Sequence, residues 1–264
     1  MEFKTILYEV GDDHVGTITI NRPDKMNTFT REMIDEFALL WKVIAADDNV
    51  KAVVLRAAEC RAFSTGAYVT TNQTDTELFS PYLSGEDPGV GLSPKTNHCW
   101  KPVVTAVHGM CAGGAFYWLN ESDIIICSED AEFFDPHVTY GLTAALEPIG
   151  ALARVPLGDV LRMTLLGNDE RITAETALRI SLVSEVVARD QLWGRAHELA
   201  ALIAQKPADA VQGSVRAIWE ALDVGRTAAL RMAFKYCQIT MMNGTSATVN
   251  PRDVMGKAKT FFRR

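Results

Sequence analysis

Residues 103–123 read VVTAVHGMCAGGAFYWLNESD, and the fold turns on this stretch. Val103, Val104, Ala106 and Val107 predict a buried strand and His108-Gly109 a turn. Gly113-Gly114 is then the point where backbone N–H groups turn outward before Ala115–Asn120 coils into a helix. Glycine there lets another group approach the chain closely. The N–H groups that open a helix have no acceptor inside it and sit at the positive end of its dipole, so they suit a group carrying negative charge. A second donor is expected upstream in RAFSTGAY at 61–68, where the apolar strand Val53–Leu55 gives way to a turn of small residues. Donors on two loops facing one point make an oxyanion hole.

Outward from this centre the chain alternates strand and helix, which predicts the α/β class. Leu7–Val10 and Val15–Ile20 flank Gly11-Asp12-Asp13 as the arms of a hairpin. Asn21-Arg22-Pro23 ends the pairing, because proline offers no N–H. Ile34, Phe37, Trp41 and Ile44 recur at helical spacing behind Thr30, a capping residue. Residues 69–98 are polar, rich in Gly, Pro and Ser, and weakly periodic, the mark of a functional cover or an irregular excursion. Further on, Asp123–Cys127 and Glu132–Phe134 predict strands, Leu157–Leu166 and Thr173–Leu182 helices, and Val183–Val187 a last strand. From Gln191 only helices are expected: Leu192–Leu202, Ala208–Leu222 and Arg226–Met242.

A chain of 264 residues can bury a sizeable core. Its net charge of −7 argues against a general nucleic-acid binder, whose footprint would be a basic face. Cys60, Cys99, Cys111, Cys127 and Cys237 show no metal-site spacing and read as reduced thiols of a cytoplasmic protein. The first residues lack an apolar signal core, and no run approaches the ~18 apolar residues that would cross a bilayer, so no membrane partner is expected. P-loop, GxGxxG, GxSxG and HExxH patterns are missing, so neither a metal nor a nicotinamide is implied.

Five stretches carry a more specific signal: NRPDKMNTFT at 21–30, CRAFSTGAY at 60–68, KPVVTAVHGMCAGGAF at 101–116, SDIIICSEDAEFFDP at 122–136 and GNDERITAETALRISLV at 167–183. With the terminal KAKTFFRR, their order and spacing resemble the enoyl-CoA hydratase/isomerase (crotonase) superfamily over nearly the whole chain. The resemblance implies a crotonase-like spiral of strand–strand–helix (ββα) units over residues 1–200. A helical region over 201–264 would join subunits into a homotrimer or homohexamer. It also implies an enzyme acting on an acyl-CoA thioester, with no cofactor besides the coenzyme A that its substrate carries. The oxyanion donors fall on the N–H groups of Ala67 and Gly114. Lys25 and Met26 fall on the turn that meets the adenine and pantetheine, Ala62, Ser64 and Gly66 beside the thioester arm, and Lys257 where a CoA held by a neighbouring subunit would place its phosphates. Leu78, Phe79, Tyr82 and Leu83 either line the acyl pocket or pin the cover.

At two places the chain departs from the hydratase pattern. The two glutamates that position and activate water in a hydratase fall, by counting along the motif, on Tyr117 and His137. Tyrosine, with a reference pKa of about 10, is a poor base near neutrality, whereas histidine at about 6.5 suits proton transfer. Syn hydration through paired carboxylates is therefore not expected, and isomerisation through one proton shuttle fits better. His137 is read as general acid or base, and Tyr117 as a hydrogen-bond donor or proton partner. Glu147, in GLTAALEPIG, would restore a carboxylate from another direction. Asp135 matches an acidic position of the β-diketone hydrolase branch and, directly before Pro136, also reads as a turn residue. His108 reads as structural. Three functions stay open: enolate chemistry on an acyl-CoA, hydrolysis of a β-diketone or CoA-linked ring by Asp135 and His137, and non-catalytic acyl-CoA binding.

Overall fold

The computed structural model describes residues 2–68 and 87–250. The hairpin forms as expected: β1 (Ile6–Val10) and β2 (Val15–Ile20) run antiparallel with Ile6 opposite Ile20, and Gly11 N–H closes the turn on Val15 O at 3.0 Å. From β2 the chain crosses through α1 (Arg31–Ala46) to β3 (Ala52–Ala57), which lies parallel to β2. Thr30 caps α1 by accepting the Met33 N–H at 3.3 Å. The helix buries Met33, Ile34, Phe37, Leu40, Trp41 and Ile44, the face that helical spacing predicts.

From β3 onward the strands come in pairs, one for each of two sheets. β3 is followed by β4 (Ala62–Ser64), β5 (Val103–Val107) by β6 (Met110–Ala112), and β7 (Ile124–Ser128) by β8 (Glu132–Phe134). The first member of each pair joins a six-stranded sheet of order β1-β2-β3-β5-β7-β10, and the second a four-stranded sheet of order β4-β6-β8-β9. Here β9 is Ile172–Thr173 and β10 is Glu185–Val187. Each advance of one pair is one turn of a spiral. The parallel strands of the larger sheet are covered on both faces, so they read as unbroken apolar runs such as VVTAV and AVVLRA. One face meets α1. The other meets α6 (Leu192–Ala204), whose Leu192, Ala196, Ala200 and Ala204 pack against Val54, Val104 and Ile126.

Three helices complete the spiral: α2 (Phe116–Asn120) after β6, α3 (Leu146–Ala151) and α4 (Leu157–Leu166) after β8. Thr173 caps α5 (Ala174–Arg179), which stops three residues short of the expected Leu182. The sequence reading predicts none of β4, β6, β9 and α3. β6 has three residues, and α3 has six that include Pro148 and Gly150, too few and too irregular to carry a period. At the end of the described chain, α7 (Ala208–Glu220) and α8 (Arg226–Met242) pack mainly on each other. Only Ala229 of the pair is buried, while Ile218, Leu222, Leu230, Phe234 and Met241 stand exposed. Two contacts tie this pair to the spiral: Trp219 Nε1 donates to Asp123 Oδ1 at 2.7 Å, and the Arg216 guanidinium lies 5.2 Å from the Trp100 ring centre. Among the described residues no helix is long and apolar enough to cross a membrane.

His108 sits at the turn between β5 and β6 with no exposed surface. Burial, aided by the charge of Arg189, lowers its pKa to about 4. Its unfolded value is about 6.5, so between these values the unfolded chain binds a proton that the native fold refuses. Stability therefore falls as the pH is lowered through this window, by about 2 kcal/mol at pH 5 from this group alone. Urea unfolding at pH 7 and pH 5 checks this: His108→Asn should lack that part of the pH dependence, and an unchanged slope in the variant would refute the assignment.

Candidate active site

The two predicted donor loops meet. Phe29 N–H bonds Gly66 O, and Tyr68 N–H bonds Phe29 O, both at 2.9 Å. Extended backbone presents alternate residues to opposite sides, so this pairing turns the Ala67 N–H away from Phe29 and toward the second loop. There, Gly113–Ala115 forms a single 3-10 turn that runs into α2. Gly114 lies in its first turn, where N–H groups have no helical acceptor, and the preceding Ala112 has no side chain to cap it. Neither N–H has a protein acceptor among the described residues. The loops approach so closely that a Cβ on Gly66 would lie 2.9 Å from Gly114 N, and one on Gly114 would strike the Phe29 ring. Phe29 is itself held edge-on to Trp118, with centroids 5.9 Å apart. The loops that carry these two N–H groups thus lie against each other.

Beside them stand the titratable groups. His137 opens a short 3-10 turn after β8, and its Cε1 lies within 3.5 Å of where a side chain on Gly113 would begin. Its Nδ1 is 2.5 Å from Asp135 Oδ1, which also accepts the His137 N–H at 3.0 Å. Asp135 is fully buried, and its Oδ2 has no partner among the described residues. The aspartate is therefore both things the sequence suggested: a turn residue and the partner of His137. From the other side, Glu147 brings Oε1 to 3.8 Å from His137 Nε2. Its position is set by α2 packing on α3, since Asn120 Nδ2 donates to Glu147 O at 2.9 Å and fills the space over Gly150. Asp135, His137 and Glu147 offer donor atoms within 4.8 Å of one another. The Asp135–His137 spacing is that of a hydrogen bond. Two ligands of one zinc, each bound at ~2.0–2.1 Å in a tetrahedron, would stand farther apart.

The environment sets the protonation of this cluster. The hydrogen bond that His137 donates to Asp135 raises the His137 pKa, outweighing burial, and Glu147 adds to the rise. Burial raises the Glu147 carboxyl, against the lowering effect of His137. Across the pocket the Tyr117 hydroxyl donates to Asp87 Oδ2 at 2.6 Å. Burial, then this bond, then the charge of Glu147 push the phenol far above its ordinary value, so it stays neutral. Asp87 is a group the sequence reading missed. It lies 30 residues from Tyr117, and its only local sign is the Asp-Pro-Gly turn, in which Oδ1 caps Gly89 N–H at 2.9 Å.

The remaining predicted positions are scattered around the donors. Lys25 is exposed on a 3-10 turn, Pro23–Lys25, that ends in Met26 with a left-handed backbone. Asn27 anchors that turn, donating to Ala58 O and Ala62 O at 3.0 Å each. Ala62 and Ser64 have no exposed surface, and Ser64 Oγ accepts Gly66 N–H at 3.2 Å, so their visible work is to shape the donor loop. Leu78, Phe79, Tyr82, Leu83 and Lys257 lie outside the described residues.

A spiral of strand pairs shared between two sheets, with the Gly66 and Gly114 loops in contact, defines the crotonase fold. Sequence comparison agrees: the family model "Enoyl-CoA hydratase/isomerase" matches residues 11–247, and the chain belongs to this family of the crotonase superfamily. It is 31% identical over 229 residues to (E)-benzylidenesuccinyl-CoA hydratase of Thauera aromatica, covering 86% of each chain. It is 30% identical to the mitochondrial Delta(3,5)-Delta(2,4)-dienoyl-CoA isomerase of Mus musculus, covering 80% of this chain and 68% of that one. Among solved structures, an enoyl-CoA hydratase/isomerase from Mycobacterium paratuberculosis superposes with a TM-score of 0.81 at 37% identity, covering 91% of each chain.

Proposed function

We propose that the enzyme acts on an enoyl-CoA thioester, stabilising its enolate on the N–H groups of Ala67 and Gly114 while Glu147 and His137 move the proton. The observation that carries this reading is Glu147 Oε1 at 3.8 Å from His137 Nε2, beside the oxyanion donors. Each fixed donor in such a site supplies roughly 3–4 kcal/mol to the charged transition state. The bond to Asp135 favours an imidazolium, so His137 serves as the acid, and the base is Glu147. This reassigns the base role that the sequence offered first to His137. Coenzyme A would be held by Lys25 and Met26, with Lys257 of a neighbouring subunit at its phosphates. The exposed apolar residues of α7 and α8 support assembly as a trimer or pair of trimers. Five unpaired cysteines fit a reducing cytoplasm.

Crotonyl-CoA tests the reading, with loss of the conjugated enoyl absorbance followed across pH. Activity needs Glu147 ionised and His137 protonated. Since both values are raised, kcat/KM should trace a bell whose acid limb lies above the ordinary carboxylate range and whose basic limb lies above the ordinary imidazole value. Calorimetric binding without turnover, on crotonyl-CoA and on a wider enoyl panel, would instead support a non-catalytic binder. The short Asp135–His137 bond favours one alternative, hydrolysis of a β-diketone by water activated on that pair. Turnover of a diketone with no need for CoA would select it.

A further inference from the structure

We propose that Asp87 is a positioning residue that commits the Tyr117 proton, so that the phenolic oxygen meets the acyl pocket as an acceptor and holds a hydrogen-bond donor, a water or a β-hydroxyl, at the carbon β to the thioester. A neutral tyrosine has one proton to give and lone pairs with which to accept. Here the proton is spent, at 2.6 Å, on Asp87 Oδ2. The aspartate is itself fixed, because Oδ1 caps Gly89 N–H at 2.9 Å. The Tyr117 main chain is held too, its carbonyl accepting from buried Ser93 Oγ at 2.9 Å. What remains on the phenolic oxygen is acceptor capacity.

Its location gives that capacity a use. Tyr117 stands three residues beyond Gly114, and side chains at this spacing are neighbours on a helical turn. The phenol is therefore about one turn from the proposed carbonyl site. A group placed there and able to donate finds Tyr117 Oη as an acceptor. A saturated acyl chain leaves that acceptor capacity unused, which burial penalises. Resting on the acyl-thioester reading, this deepens it: the site is built to hold water or hydroxyl at the β-carbon, the chemistry of addition and elimination of water rather than double-bond migration.

The test is Asp87→Asn beside Tyr117→Phe, with butyryl-CoA and 3-hydroxybutyryl-CoA as probes in titration calorimetry on the full chain. Asparagine keeps the cap on Gly89 but offers an N–H₂ where aspartate accepted, so it reverses the hydroxyl without changing its shape. The wild type should bind the hydroxyacyl thioester about tenfold tighter than the saturated one. Both variants should lose that preference, keep their affinity for butyryl-CoA, and show no further loss when combined. If Asp87→Asn keeps the preference that Tyr117→Phe loses, Asp87 merely holds the turn and the proposal fails. Equal binding of both thioesters to the wild type also refutes it. Failure of the underlying acyl-CoA reading looks different: neither thioester then binds the wild type, and the proposal falls with it.

Discussion

Glu147→Gln should lower kcat on an enoyl thioester by about 10²–10⁴-fold while KM stays within a few-fold, the range typical of removing a positioned acid or base. Glutamine has nearly the same shape, and the bond that seats α3 runs to the Glu147 main-chain oxygen, so the helix keeps its place. What disappears is the proposed function of the side chain, taking and returning a proton 3.8 Å from His137 Nε2. His137→Ala should cost a similar factor, and the double variant should lose much less than the product, because the two groups act as a unit. Stopped-flow turnover of crotonyl-CoA reads all three. An unchanged kcat in Glu147→Gln would end its role as base. A large loss in His137→Ala alone would move the chemistry to the Asp135–His137 pair.

Gly66→Ala should reduce kcat by about 10²–10³-fold, the cost of one oxyanion donor, and leave a folded protein. Gly66 has φ +83°, a conformation open to glycine, and a methyl there would stand 2.9 Å from Gly114 N, on the very group that must face the substrate. Backbone on both sides leaves little room to yield. Gly113→Ala separates strain from obstruction. Its φ of +52° carries a similar penalty, yet its Cβ would meet only Pro136 and His137 at 3.4 and 3.5 Å, ordinary contacts. Thermal melting should report a loss in both variants, larger in Gly66→Ala where backbone crowding adds to the strain, and turnover measured where both remain folded should fall far more in Gly66→Ala. Equal turnover would show that the loops tolerate a methyl and do not form the donor pair.

The legible parts of this protein were those governed by local rules. Thr30 and Thr173 were found as caps because a cap needs only its next three residues, and both accept the expected N–H. The two glycine loops were legible through the order and spacing of several stretches, since a single glycine before a helix is common in plain packing. What stayed hidden was long-range. Nothing near Tyr117 indicates that its partner is Asp87, and the distribution of strand pairs between two sheets follows from registers such as Val53 to Val103, not from any one segment. The role of His137 needed both neighbours: Asp135, two residues away, was visible, while Glu147 reaches it only through the packing of α2 on α3.

Both proposed oxyanion donors belong to the main chain. Any residue but proline at position 67 still carries the N–H, so a substitution at that position leaves the proposed donor in place. The groups proposed to direct the proton or water are side chains at 87, 117, 137 and 147, each open to replacement by a single substitution. Such a scaffold passes recognition of its electrophile to its descendants almost intact and lets the reaction drift. Lineages built on it would be expected to diverge in outcome long before they diverge in shape.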